Sequence, residues 1–258
     1  MGFEITRPLS VGGVNSNISV KPTRVAFGSA PDSFKTTSVN RYMTESSIKY
    51  AIASNPEIKK ILKEMDAPVK LNMAELQELT EHHAKDTQDI CSGIIQNLPK
   101  GLRDRVNVKS VKDAAMLHDI GKVLIPSEVL NKNGKLDDKE KAIMRRHSEL
   151  GYEILKNTDI DTRTLHLVKY HHQNASHSGY PKVQKDFWPD INLQILSTAD
   201  KYSALTEKRV YKEPLSKEQA LTIIYRDVID GNVHPFVFKA LSNYALGAED
   251  VKTSMSMI

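Results

Sequence analysis

Histidine and aspartate recur in this chain where a helical core should carry aliphatic side chains. His118 and Asp119 are adjacent within Ala115-Met116-Leu117-His118-Asp119-Ile120-Gly121-Lys122. His171 and His172 are also adjacent, and Asp200 ends the otherwise apolar run Ile195-Leu196-Ser197-Thr198-Ala199. His83 and His147 fall on the apolar faces of two further helical stretches. A single histidine on an apolar face is usually a core residue that has found a hydrogen bond. Several in one bundle are different, because each buried imidazole needs its own partner. A metal centre satisfies them together. An adjacent His-Asp pair can give one metal an imidazole and bridge two metals with the carboxylate. Two adjacent imidazoles, about 100° apart on a helix, serve two neighbouring ions more readily than one. A carboxylate in an apolar run needs a partner, and a cation suits Asp200.

Composition sets the chemistry of such a centre. The chain has 9 histidines and 1 cysteine, Cys91, among 258 residues. That excludes a disulfide framework and a thiolate cluster. Imidazole and carboxylate ligands suit iron, manganese or zinc in catalytic roles. The net charge of +4 is too even to argue for a nucleic acid polymer as partner. No stretch approaches the roughly 20 apolar residues that cross a bilayer, so no membrane insertion is expected. Met1 to Pro8 carries no apolar segment of the secretory kind, and the expected compartment is the cytoplasm.

Helices must position these groups. Residues 1–40 are rich in Ser, Thr, Asn, Gly and Pro without a helical period, and read as a poorly ordered extension. Residues 41–68 read as connector or docking helices, with Ile48, Ile52, Ile58, Ile61 and Leu62 at helical spacing around Asn55-Pro56. A homodimer contact or a docking partner would use this front region. Residues 69–247 form the dense body. Leu76, Leu79, His83, Ile90 and Ile94 trace one face. Val111, Ala114, Ala115 and His118 trace a second, broken at Gly121. Asp137 with Glu140 and Ser216 with Gln219 are capping boxes that open two later helices. Leu165, Val168 and His172 mark another, and residues 248–258 read as a tail. The predicted fold is all-α, with about six to eight helices and no period-2 strand pattern.

The same residues resemble a known family. Ala115 to Lys122 looks like the signature of the HD superfamily of metal-dependent phosphohydrolases. His171-His172-Gln173 followed by Gly179-Tyr180-Pro181 resembles its HD-GYP subgroup, as does Ala199-Asp200-Lys201-Tyr202-Ser203-Ala204-Leu205-Thr206 continuing to Arg209-Val210-Tyr211-Lys212. Ile125-Pro126, Val129 to Lys132, Gly134-Lys135-Leu136 and His147 to Gly151 fit as well. The resemblance covers about Leu71 to Leu246.

It implies an HD-superfamily helical bundle that binds two divalent ions, iron or manganese, and hydrolyses cyclic di-GMP to pGpG and then GMP. A metal-bridged hydroxide would attack phosphorus. The implied metal ligands are His118, Asp119, His147, His171, His172 and Asp200, joined by a histidine of the preceding helix. His83 shares the apolar face and is preferred. The alternative, His82 with Glu78 one turn earlier, would bring a third metal. Asp119 and Lys122 are the implied catalytic residues. Lys122, Gly179, Tyr180, Arg209 and Lys212 are the implied substrate contacts.

The chain departs from the family pattern at several places. Gln173 stands for a usual Glu, Ser176-His177 for Asp-Gly, Ser203 for Asp, and Val210 for Pro. Loss of the usual Glu and Asp carboxylates implies altered ligand orientation and metal affinity. Two other readings stay open: another nucleotide phosphohydrolase of the superfamily, and a catalytically weak domain that senses a nucleotide or binds a partner.

Overall fold

Side chains that cap helices divide the chain. The computed structural model describes residues 39–207 and 213–247. Among these residues there are thirteen α-helices and no strand. They are α1 (Glu45–Ser54), α2 (Pro56–Glu64), α3 (Met73–Leu79), α4 (Lys85–Asn97), α5 (Lys100–Arg103), α6 (Val108–Leu117) and α7 (Ser127–Leu130), then α8 (Asp138–Arg145), α9 (His147–Leu155), α10 (Thr162–Tyr170), α11 (Ile191–Thr206), α12 (Lys217–Ile229) and α13 (Pro235–Leu246). The all-α expectation holds. Eight of these helices within 69–247 have eight residues or more, and short turns fill the spaces between them. The expected tail at 248–258 lies outside the described residues, as does nearly all of the expected extension at 1–40.

Several helices start where a polar side chain satisfies an orphan N–H. Asn107 accepts from Ser110, Asp161 from Arg163 and Thr164, and Asp190 from Leu193. Both predicted capping boxes form, Asp137 with Glu140 and Ser216 with Gln219. Asn55 caps α2, whose first residue is Pro56, a position that needs no N–H.

Helix α4 is central and packs against α6, α11 and α13. Helix α9 packs against α10 and against the 3-10 turn Ile120–Leu124. Ile94, Leu117, Leu150, Leu167 and Leu193 are fully buried between these layers, and each contributes about 1.5–3 kcal/mol by leaving water. Helices α1 and α2 lie on α9 with Ile48, Ile58 and Leu62 buried. Asn55 donates to the Glu153 carbonyl at 2.9 Å and to the Glu153 carboxylate at 2.7 Å.

One glycine sets the distance between two site elements. A Cβ on Gly121 would stand 1.9 Å from the His147 carbonyl oxygen and 2.5 Å from the Gly151 nitrogen. Only glycine lets the turn after His118 and Asp119 lie directly on the start of α9. No helix of the described residues is long and apolar enough to cross a membrane.

Candidate metal centre

Six elements deliver side chains to one buried point. His118 closes α6 and Asp119 follows it. His147 begins α9, Asp200 lies within α11, and His171 and His172 follow the end of α10. His83 lies in a π-helical turn, Thr80–Ala84, between α3 and α4. This turn interrupts the single helix that the sequence pattern predicts there. π-Turns of this kind occur mostly as one-turn insertions, frequently at functional sites. His83 is buried, whereas His82 and Glu78 are exposed.

Two donor sets form. His83, His118 and Asp200 each bring a ligand atom within 4.8 Å of the others, and so do His147, His171 and His172. Asp119 stands between the sets. Its Oδ2 lies 3.4 Å from His118 Nε2 and 3.7 Å from His83 Nε2, while its Oδ1 lies 3.4 Å from His147 Nε2. His171 and His172 follow the end of α10, and His171 keeps helical backbone angles. Their ring centroids are 4.0 Å apart and both join the set of His147. His172 Nδ1 also faces Asp200 Oδ2 at 3.7 Å.

The main chain aims three of the rings. His118, His147 and His171 each place Nδ1 2.8 Å from the carbonyl three residues earlier, on Ala115, Met144 and Val168. A carbonyl only accepts, so Nδ1 is the donor and the Nε2 lone pair faces the centre. The consequence is close approach of ring nitrogens. His83 Nε2 and His118 Nε2 are 3.3 Å apart, and His147 Nε2 and His171 Nε2 are 3.2 Å apart.

Charge in the centre follows the same geometry. Burial opposes ionisation of Asp119, but Lys122, His118 and His147 outweigh it and hold the carboxyl well below the usual range. Burial likewise opposes ionisation of Asp200, and the hydrogen bond from His83 with the nearby His118 and His172 outweighs it. Burial pushes His147 down to about 3, and it also lowers His171 and His172. His83 goes the other way: burial lowers it, but Asp200 and Glu207 raise it to about 9.

These residues fit a metal pair. Asp119 Oδ1 is buried and accepts no hydrogen bond, a costly state for a carboxylate oxygen. Two close pairs of imidazole nitrogens flank it. A cation in each donor set would satisfy all of these atoms at once. The donors are nitrogen and oxygen only, since Cys91 is buried elsewhere in the core.

The substrate side is partly described. Lys122 Nζ lies 2.6 Å from Asp119 Oδ2. The Tyr180 ring tilts over His172 with centroids 4.6 Å apart, and burial pushes its hydroxyl pKa up. Gly179 packs where no side chain fits: a Cβ there would stand 2.0 Å from the His172 carbonyl oxygen. Arg209 and Lys212 lie outside the described residues.

Gln173 holds the loop. Its Oε1 accepts from the backbone of Asn174 at 3.0 Å and of Gly179 at 3.1 Å, and its Nε2 donates to the Pro181 carbonyl at 2.7 Å. His177, at the usual glycine position, adopts φ 56° and donates from Nε2 to the Phe187 carbonyl at 2.8 Å. Two residues escaped the sequence reading. Arg145 places its guanidinium 5.4 Å from the Tyr180 ring centroid. Its signal was a cation two residues before His147. Glu207 places Oε2 3.3 Å from His83 Nδ1, a pairing with no local signature. The remaining histidines have other roles: His166 packs on Tyr170, and His234 caps α13.

Comparisons with known proteins find relatives over part of the chain. The 3'3'-cGAMP-specific phosphodiesterase 2 of Vibrio cholerae is 44% identical over 114 residues, which is 42% of this chain and 21% of that protein. The cyclic di-GMP phosphodiesterase response regulator RpfG of Xanthomonas campestris is 37% identical over 121 residues, 46% of this chain and 32% of that one. A cyclic di-GMP phosphodiesterase of Thermotoga maritima is 34% identical over 153 residues, 58% of this chain and 41% of that one. The chain thus matches less than half the length of each of these relatives. Among solved structures, Bd1817, a HDG"Y"P protein from Bdellovibrio bacteriovorus, shares the fold with a TM-score of 0.53 at 17% identity, over 80% of this chain and 63% of that one. A model of the HD domain matches residues 60–232, and the chain belongs to that family.

Proposed function

We propose that this chain is a metal-dependent phosphodiesterase of the HD-GYP kind, which cleaves cyclic di-GMP to pGpG and then to GMP in the cytoplasm. The observation that carries the reading is Asp119, one oxygen toward each donor set, with Lys122 on its flank. His83, His118 and Asp200 would hold one ion, His147, His171 and His172 the other, and Asp119 would serve both. Iron or manganese suits ligands of imidazole and carboxylate. Divalent ions bound there supply a strong nucleophile at neutral pH and offset charge on the phosphate oxygens.

The chain's own residues do the rest. Three main-chain carbonyls fix the imidazoles before any ion arrives. Lys122 is 17% exposed and can turn from Asp119 to a non-bridging phosphate oxygen, where its charge counts most in the transition state. Tyr180 presents an aromatic face beside the centre, on which a nucleobase or sugar can rest. Arg145, near the same ring, offers a cation to the second phosphate.

One observation favours a second substrate. The relative with 44% identity is named for 3'3'-cGAMP, which shares the phosphodiester ring and differs in one base. The deciding experiment is anaerobic purification with elemental analysis, then turnover of cyclic di-GMP, 3'3'-cGAMP and pGpG. The expected result is two iron or manganese ions per chain and faster cleavage of cyclic di-GMP. His118→Ala with Asp119→Ala should abolish both metal and turnover. Retained turnover in that double variant would overturn the assignment. Tight nucleotide binding by wild-type protein without metal would replace it with a sensing role.

A further inference from the structure

We propose that Glu207 is a positioning residue for the metal ligand His83, doing from one turn farther along α11 what a carboxylate at position 203 would do. The inference rests on the reading that His83 is a ligand.

His83 lacks the device that aims its neighbours. His118, His147 and His171 are each locked by a main-chain carbonyl three residues back. His83 sits in the π-turn, and its Nδ1 faces Ser203 Oγ at 3.1 Å and Glu207 Oε2 at 3.3 Å instead. The two groups are not equivalent. A hydroxyl both donates and accepts, so Ser203 alone leaves the ring free to carry its proton on either nitrogen. A carboxylate only accepts. Glu207 therefore holds a proton on Nδ1, and Nε2, 3.0 Å from Asp200 Oδ1 and 3.3 Å from His118 Nε2, is the nitrogen that would give up its proton to an ion. A carboxylate behind a ligating imidazole also raises its basicity, and losing one typically costs about 10–100-fold in metal affinity.

The packing permits this reach. Ser203 is buried at 2% exposure and Glu207 follows it by four residues, just past the end of α11. Glu207 also lines a cavity of about 600 Å³ between α4, α11 and α13. Its side chain therefore stands between that cavity and His83, and truncating it enlarges an existing space rather than opening a hole in the core.

The test is titration of metal-free protein with Mn²⁺ by calorimetry, with thermal unfolding of each metal-free variant. Wild type should bind two ions. Glu207→Ala should weaken one of them by about 10–100-fold, while its metal-free form still unfolds cooperatively. Adding Ser203→Asp to Glu207→Ala should return affinity to the wild-type range, which restored packing alone would not do. His83→Ala should remove the same ion. If Glu207→Ala binds both ions as wild type does, or if Ser203→Asp restores nothing, the positioning role is overturned while the metal centre stands. If wild type or His83→Ala shows that His83 binds no ion, the reading beneath it falls as well.

Discussion

Gly121 lies against the backbone of His147 with no room for a methyl group: an added Cβ would stand 1.9 Å from the His147 carbonyl oxygen. Both neighbours of this contact matter. On one side the turn carries Asp119, and on the other α9 begins with His147, whose Nε2 faces Asp119 Oδ1 at 3.4 Å. The obstruction is backbone, so a rotamer change cannot relieve it. Gly121→Ala should push α9 from the turn and separate the second donor set from Asp119. We expect a loss of about 1–3 kcal/mol in stability, as for other overpacked cores. Metal content should fall from two ions to one, read by elemental analysis beside urea unfolding. Full occupancy with unchanged stability would show that α9 does not need this contact.

Lys122 should separate binding from chemistry. Its ammonium is near Asp119 yet contributes no ligand atom. Lys122→Met keeps the aliphatic stem and removes the charge. Metal content should stay at the wild-type level, while kcat should fall by about 10²–10³-fold, the usual cost of removing one charge-stabilising donor. Steady-state kinetics on the metal-loaded protein decide it, and an unchanged kcat would exclude Lys122 from the transition state.

Gln173 tests the loop rather than the ions. Its amide uses donor and acceptor together, on Pro181, Asn174 and Gly179. Gln173→Leu keeps the size and leaves those backbone groups unpaired, at about 1–3 kcal/mol for a buried group. Because the loop carries Tyr180, KM for the dinucleotide should rise while metal content is retained. Gln173→Glu keeps the acceptor but not the donor to Pro181, and should be milder. Lost metal in either variant would mean that the side chain supports the ligands after all.

These residues also show what the sequence could and could not reveal. The capping boxes at Asp137 and Ser216 are local, four residues long, and both form. The apolar face of Leu76, Ile90 and Ile94 predicts an inward His83, and His83 is buried, but through a π-turn that shifts the helical phase. The His171-His172 pair reads as serving two ions; both imidazoles join the set of His147, and His172 also faces Asp200 of the other set, a relation only the packing reveals. Glu207 and His83 are far apart in sequence and meet only because α4 packs on α11. No period or motif encodes such a pairing. Side-chain types announce the centre, but which atoms face each other depends on helix ends and packing.

Asp161 gives a prediction about stability that is independent of the centre. Its Oδ1 accepts from the backbone of Arg163 and Thr164, both at 3.0 Å, and from Ser110 Oγ at 3.1 Å, which ties the start of α10 to α6. Partial burial raises its pKa, but the bonds from Thr164, Ser110 and Arg163 outweigh this and lower it. A lowered folded-state value stabilises the fold above the unfolded value of about 3.9. That contribution is lost as pH falls through the folded value. Asp161→Ala should therefore cost about 1–2 kcal/mol at pH 7, typical of an N-cap. The gap between wild type and variant should narrow as the pH falls below about 4. Asp161→Asn, which keeps an acceptor without the charge, should lose less at pH 7 and show less of this pH dependence. Urea unfolding of the three proteins across this range measures it. A gap that stays constant with pH would assign the cap to hydrogen bonding alone and not to the carboxylate's charge.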